Sequence, residues 1–235
     1  MSEHILKYGS TDISFTVTYS ERETLGIQVH PDLKVKVIAP TDSSIDQITN
    51  KVRQKAPWII KQQDYFISFH PKTPPRRYIS GETHLYLGRQ YRLRLIEDSH
   101  EAVQLIGGYI NVHTTNATDT SRVKTLLEWW YNQKAQIHFP KLFEKAIQLY
   151  PIPTTKERTL KTKWMAKRWG SCTHDGTILL NIELIKTPKA CIEYVIVHEF
   201  CHLAHMNHSK QFYKLLDKVY PEWKSTKMRL ENIMV

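Results

Sequence analysis

Short alternations of apolar and polar residues fill the first third of the chain and predict strands. Apolar residues hold every second position from Ile13 to Tyr19, as in a strand with one buried face. Two further strands are predicted at 25–29 and 34–38, with a turn at 30–32 between them.

A change of apolar period then predicts a helix near 44–69, which Pro57 either kinks or divides into two. The proline-rich segment at 70–75 predicts a loop. Two hairpins follow at 85–95 and 103–112, and the second turns at a Gly-Gly pair that tolerates positive φ.

The second half of the chain is mainly helical. After a polar linker at 114–120, a long helix is predicted at 121–150, bent or split at Pro140. A strand at 177–184 precedes a further helix with Thr187 as its cap.

These elements predict an α+β protein in two parts, with no internal repeat visible in the sequence. The β-rich N-terminal part at 1–117 contains the helix near 44–69, and a helical/β domain at 118–235 carries the candidate chemistry. A chain of 235 residues, 41% hydrophobic and 11% aromatic, can build a sizeable core, which excludes a disordered or fibrous protein.

Hydropathy and cysteine usage bear on the compartment. No run of 18 apolar residues is present and the first thirty residues lack an apolar signal segment, so we expect neither a membrane span nor a secretory signal. Three cysteines form an odd, sparse set, which favours a reducing, cytoplasmic location over a disulfide framework.

Positive charge is concentrated in the second half. The formal net charge is +10; the N-terminal part holds 14 Lys/Arg against 12 Asp/Glu, and the C-terminal domain holds 19 against 11. Six Lys/Arg between Lys156 and Arg168 are interleaved with Trp164 and Trp169, a combination that can bind nucleic acid by charge and stacking. A basic surface that only keeps the protein soluble explains the charge equally well.

The segment His198-Glu199-Phe200-Cys201-His202 is an HExxH motif that follows apolar residues on a predicted helix. Two histidines four residues apart share one helix face and can hold one cation, while the adjacent glutamate can deprotonate a water activated there. The motif predicts one Zn²⁺ per chain, with Glu199 as general base. Cys201 points off the ligand face and is expected to pack in the core.

A catalytic zinc takes three protein ligands and leaves one position for water. In a continued helix His205 would lie about 10 Å beyond His198 along the axis, out of reach of the ion. The helix must therefore end soon after His202, and 206–207 is the predicted end. His208 is favoured as third ligand because the spacing of His198, His202 and His208 then equals that of HExxHxxGxxH zincins, except that His205 stands where they have glycine. An acidic residue elsewhere and His205 remain alternatives.

The HExxH motif belongs to an ordered series of motifs within about residues 160–230: Arg168-Trp-Gly-Ser-Cys172, Leu180-Asn181, Tyr194–Leu203, Asn207–Phe212 and Tyr220-Pro-Glu-Trp223. This series resembles the YgjP-like metallopeptidase-domain family of predicted metal-dependent hydrolases, related to the SprT-like and WLM zincins. The resemblance implies a zincin-like fold and peptidase-like hydrolysis, without a defined substrate. It also implies zinc held by His198, His202 and His208, with Glu199 as base.

The first of these motifs surrounds Arg168, which can hold a substrate carboxylate or stabilise an oxyanion, and Cys172, which can approach the metal. Alternatively, Trp169 and Cys172 are core residues and Arg168 pairs with an acid. By analogy with zincins, the strand at 177–184 is expected to line the cleft and to pair with an extended peptide.

An oxyanion in a zincin normally has a further donor opposite the metal, and the sequence does not choose among four candidates: Arg168, His174, Tyr213 and Tyr220. Phe212 and Trp223 are expected in the core.

The sequence thus predicts a zinc-dependent metallohydrolase, with hydrolysis of peptide or protein substrates as the favoured reaction. Four alternatives stay open. The protein can be a nucleic-acid-associated protein using 156–168, alone or as a DNA-linked protease, or a hydrolase of another amide. The metal site can be non-catalytic, or the histidines can be buried without metal.

Overall fold

The computed structural model forms two compact units, 1–73 and 74–235, each with its own buried apolar cluster. The division differs from the predicted boundary at 117/118, because both hairpins contribute to the core of the second unit. Pro31, Lys167 and most of the loop predicted at 70–75 lie outside the residues that the structure describes: 2–30, 32–67, 75–152, 154, 156–166 and 168–234.

In the first unit, one long helix packs on a four-stranded sheet. The predicted alternation is confirmed, since Ile13, Phe15 and Val17 are buried. The helix runs continuously through Pro57, and Ser44 with Gln47 forms a capping box at its start. The elements are β1 (Ser2–Tyr8), β2 (Thr11–Ser20), β3 (Gly26–Val29), β4 (Val35–Pro40) and α1 (Ile45–Ile67).

The second unit opens with another four-stranded sheet and a longer helix. The Gly-Gly turn is confirmed, with positive φ at Gly107 and Gly108. The helix begins after Asp119, whose side chain accepts a hydrogen bond from the Arg122 amide, and it is continuous through Pro140. The elements are β5 (Thr83–Tyr86), β6 (Arg89–Glu97), β7 (Ala102–Ile106), β8 (Tyr109–Thr114) and α2 (Thr120–Leu149).

These two sets of elements share one topology. The strand orders are β1-β2-β4-β3 and β5-β6-β8-β7, each with a parallel central pair between antiparallel outer pairs, and each is followed by its long helix. We name residues 2–67 the first module and residues 83–149 the second module. The recurrence was not visible in the sequence.

The rest of the second unit surrounds the buried helix at Lys189–Ala204. This helix contacts α2 of the second module and the two helices that follow it in the chain. Its three-stranded sheet has the order β10-β11-β9, and the central strand ends at Asn181, short of the predicted 184. No described helix is long and apolar enough to cross a membrane. The elements are β9 (Thr159–Lys163), β10 (Gly170–Cys172), β11 (Thr177–Asn181), a 3₁₀ turn (Ile182–Lys186), α3 (Lys189–Ala204), α4 (Lys210–Val219) and α5 (Trp223–Met234).

Candidate metal centre

Three imidazoles converge beside the buried helix α3. His198 and His202 lie one turn apart on this helix, and His208 comes from the segment that follows it. One ring nitrogen of each lies within 4.8 Å of the others, and the Nε2 atoms of His198 and His208 are 3.0 Å apart. Three nitrogen donors at these separations can share one cation.

The end of α3 brings His208 back to the helix. The helix stops at Ala204, earlier than the predicted 206–207, because His205 takes an extended cap conformation at φ −137°. His205 contributes its carbonyl oxygen, which lies 3.1 Å from Nδ1 of His202, and its ring is not part of the cluster. Ser209 then caps α4 by accepting from the Phe212 amide.

Phe212 forms the floor of the cluster. Its ring is fully buried, as expected, and its centroid lies 5.0, 4.6 and 4.8 Å from those of His198, His202 and His208. An apolar floor restrains the three imidazoles without competing for their nitrogens. Cys201 is also buried in the core, as predicted.

Burial sets the charge state of the two imidazoles on α3 and shifts that of the adjacent carboxylate. It lowers the pKa of His198 to about 3 and also lowers the pKa of His202, so both rings are neutral and offer lone pairs near pH 7. Burial raises the pKa of Glu199 to about 8, and the charge of Arg168 opposes this shift. A cation held by the imidazoles would favour the ionised carboxylate.

A cavity of about 560 Å³ opens over the three imidazoles and Glu199. On one side, β10 passes so close to Glu199 that a Cβ at Gly170 would lie 2.8 Å from Oε1. Only glycine leaves room for this approach without displacing the carboxylate. Gly170 was not singled out by the sequence analysis, although it lies within the motif around Arg168.

Asn181 holds the segment that leads into β10. Its side-chain Nδ2 donates to the carbonyl oxygens of Met165 (2.7 Å) and Arg168 (2.8 Å), and its Oδ1 accepts from the amides of Met165 (3.2 Å) and Glu183 (3.1 Å). The side chain is buried and uses both donors and both acceptor positions. It thereby fixes the backbone beside Arg168 and Trp169, which line the cavity.

The four candidate oxyanion donors separate in the structure. Arg168 and Tyr213 line the cavity, whereas His174 and Tyr220 are not among its lining residues. The Tyr220 hydroxyl instead donates to the Ala190 carbonyl at 3.4 Å. Cys172 lines the cavity as well, and burial raises the pKa of its thiol to about 11, so it stays protonated.

One expectation about the cavity is refined and another is corrected. Trp223, expected in the core, packs against it while only partly buried, and it also lines the cavity together with Lys227, Leu230 and Glu231 of α5. The strand expected to pair with a peptide, now β11, has β10 on one side and β9 on the other, so its hydrogen-bonding edges are occupied. The edge strand at the cavity is β10.

The basic stretch 156–168 makes internal contacts. Arg158 donates to the Ile152 carbonyl at 3.2 Å and covers the Phe200 ring, while Trp164 and Trp169 pack against the core. Packing within the domain thus accounts for Arg158 and the two tryptophans, whereas Lys161 and Lys163 of the same stretch are exposed.

Comparison with known proteins agrees with the family resemblance seen in the sequence motifs. A family model described as YgjP-like, metallopeptidase domain, matches residues 23–233. The chain belongs to this family. The resemblance drawn from the motifs is therefore confirmed, and the family's description identifies the chain as a metallopeptidase. No curated protein matches the sequence.

Two solved structures were also compared with this YgjP-like chain. The metallopeptidase zymogen of Pyrococcus abyssi abylysin is 23% identical, covering 41% of this chain and 99% of its own, with a TM-score of 0.34. The metallopeptidase zymogen of Methanocaldococcus jannaschii jannalysin is 17% identical, covering 41% and 90%, with a TM-score of 0.36. These comparisons give no support for nucleic-acid binding.

Proposed function

We propose that the protein is a zinc-dependent peptidase in which His198, His202 and His208 hold the metal and Glu199 is the general base. The observation that carries the proposal is the convergence of three imidazole nitrogens within 4.8 Å beside a buried carboxylate on the wall of an open cavity. The family supports the reaction class.

The donor set fits zinc. Three imidazoles from one helix and the following segment, two of them with a pKa lowered by burial, match a catalytic zinc site, which uses three protein ligands and keeps one position open. The bound ion would supply Lewis acidity, activating water and polarising the scissile carbonyl. His205 holds His202 through its carbonyl oxygen, a backbone contact of the kind that fixes ligand orientation.

Glu199 moves the proton in this scheme. Its carboxylate would accept a proton from the attacking water and return it to the leaving amine. The close passage of β10 at Gly170 limits the positions open to the carboxylate. Arg168 and Tyr213 remain the candidate donors to the developing oxyanion, since both face the same cavity.

The unpaired edge of β10 is the proposed contact for the substrate main chain. This strand pairs only with β11 among the described strands and lies along the cavity. An extended peptide could add to this edge by backbone hydrogen bonds, which are independent of side-chain identity.

We also propose a reducing, cytoplasmic environment. All three cysteines are unpaired, with Cys191 and Cys201 buried in the core and Cys172 in the cavity wall. An accessible thiol beside a metal centre favours a compartment that keeps thiols reduced.

The experiment combines metal content with hydrolysis of a peptide library. Purified protein should hold about one zinc per chain; His208→Ala should lose it, and the matched variant His205→Ala should keep it. Glu199→Gln should keep zinc and lose at least about 100-fold in turnover. Full hydrolysis by Glu199→Gln would remove the base assignment, and zinc lost only in His205→Ala would move the third ligand.

A further inference from the structure

Two stacked aromatic rings form a shelf in the cavity next to a candidate metal ligand. The rings of Tyr213 and Trp223 lie 5.4 Å apart at an interplanar angle of 24°, and both line the cavity. The Tyr213 ring is stacked in turn on His208, with centroids 6.1 Å apart at 27°. The shelf therefore starts at the metal centre and extends away from it.

The shelf is held in place. The Trp223 indole N–H donates to Asp217 Oδ1 at 2.6 Å, and the Trp223 amide donates to the Tyr220 carbonyl at 3.0 Å. The two rings support each other across the junction of α4 and α5. A preformed aromatic surface can bind a ligand without first losing side-chain freedom.

The remaining lining on this side of the cavity favours an uncharged occupant. Met206, Val195 and Leu230 add apolar surface. Lys227 and Glu231 also line it, but their charges lie 3.6 Å apart as an ion pair one turn apart on α5. A charged side chain placed here would have to lose water without an unpaired counter-ion among the lining residues of α5, since Lys224, whose Nζ lies 5.5 Å from the Trp223 ring centroid, does not line the cavity.

We infer that the shelf is a side-chain subsite that takes a large apolar or aromatic residue adjacent to the scissile bond. The inference rests on the proposed function and deepens it by naming the substrate class. Trp223 and Tyr213 are then specificity-determining residues, since burying a phenylalanine or leucine side chain strengthens binding by about 10-fold or more.

The test measures binding rather than hydrolysis. Amino-acid hydroxamates carrying glycine, leucine, phenylalanine, aspartate or lysine side chains are titrated calorimetrically into the zinc-loaded full chain. Phenylalanine and leucine compounds should bind at least about 10-fold more tightly than the glycine compound. Trp223→Ala should reduce this ratio to below about 3-fold, and Trp223→Phe should retain most of it.

The matched control is Trp129→Ala, which removes an exposed tryptophan of α2 that does not line the cavity and should leave the ratio unchanged. If Trp223→Ala does not fold, as judged by zinc content and circular dichroism, Tyr213→Ala takes its place with the same expected loss. Equal affinity for glycine and phenylalanine compounds, or preference for a charged one, overturns the subsite while the metal centre stands. No affinity for any compound at a loaded zinc overturns both.

Discussion

The first and second modules repeat one topology but differ in how the chain uses them. Corresponding strand pairs bury corresponding residues: Phe15 faces Val35 in the first module, and Leu93 faces Ile110 in the second. The long helices of the two modules also correspond. Near the start of each, two apolar residues one turn apart are buried: Ile48 and Val52 in α1, and Val123 and Leu127 in α2. What differs is the outer surface of each module.

The second module contributes to the core of the second unit, which carries the candidate metal centre. The amides of Leu87 and Gly88, in its first turn, donate to the carbonyls of Ile185 (2.9 Å) and Lys186 (3.0 Å). Its helix continues to Phe143, whose ring meets Phe200 of α3 edge-on at 5.2 Å. In the first module, a Cβ at Gly9 in the corresponding turn would meet nothing within 4 Å. The second module thus forms part of the core that carries the candidate site, whereas the first module has a core of its own.

The largest expected effect is on the turn of the second module. A Cβ at Gly88 would lie 2.5 Å from Pro188 Cγ, and φ is +79°. Gly88→Ala therefore combines a clash with backbone strain and should lower the free energy of unfolding by about 3 kcal/mol or more. Gly9→Ala is the matched control: φ is +61° with open space, so strain alone should cost about 1–2 kcal/mol. If urea denaturation gave the same loss of unfolding free energy for Gly88→Ala and Gly9→Ala, the turn at Gly88 would not be held by contacts with the rest of the second unit.

A smaller effect is expected inside the second module. Its helix places Tyr131 where α1 has the buried Ala56, and the Tyr131 hydroxyl donates to the Leu85 carbonyl at 2.8 Å. Tyr131→Phe should cost about 1–2 kcal/mol, because a buried hydrogen bond is lost without a change of shape. Tyr19→Phe, at an exposed position of β2, should change stability by less than about 0.5 kcal/mol. A loss at Tyr19 as large as at Tyr131 would contradict this account.

The third effect appears only as a pH dependence. Buried His84 corresponds to buried Leu6 of the first module, since each faces the equivalent residue of its hairpin. Burial lowers the pKa of His84, and its bond to Glu82 only partly offsets this. The unfolded chain then binds more protons, so unfolding free energy falls as pH drops through about 6.5, the ordinary histidine pKa.

His84→Leu should flatten the pH dependence of stability between pH 7.5 and 5. The three histidines of the candidate metal centre are unchanged by this substitution and contribute equally to both proteins, so the difference in slope belongs to His84. Urea denaturation at several pH values measures it, and His100→Leu, at an exposed position, is the control. Parallel pH profiles for wild type and His84→Leu would exclude the proposed proton linkage.

Local patterns made much of this structure predictable, and long-range pairing made the rest unpredictable. Alternation identified β2, helical period identified α1 and α2, and the HExxH spacing identified two imidazoles of the cluster. The parallel pairing within each module joins segments whose register is set by packing, so the repeat stayed hidden. The strand β9 was missed because Lys and Thr alternate around a single leucine.

The site shows the same limit. The position of His208 followed from spacing, but α3 ends at Ala204 without glycine or proline to mark it. The roles of Gly170 and Asn181 depend on atoms from other segments: the Glu199 carboxylate for Gly170, and the backbone around Met165 and Arg168 for Asn181. In the sequence, Gly170 and Asn181 could be recognised only as members of short motifs, because the contacts that explain them are made with distant segments.

The smallest expected effect, on metal content, comes from removing the first unit entirely. Every imidazole of the cluster and every residue lining the cavity belongs to 74–235, as do all members of the core around α3. A chain beginning at residue 74 should therefore hold about one zinc, with an affinity within about 3-fold of that of the full chain. Chelator competition measures the affinity, and His208→Ala in the shortened chain shows that the same site is being titrated. Loss of zinc from a shortened chain that keeps its helical circular dichroism would mean that the first module supports the metal centre after all, and that the contrast between an embedded and a separate module is wrong.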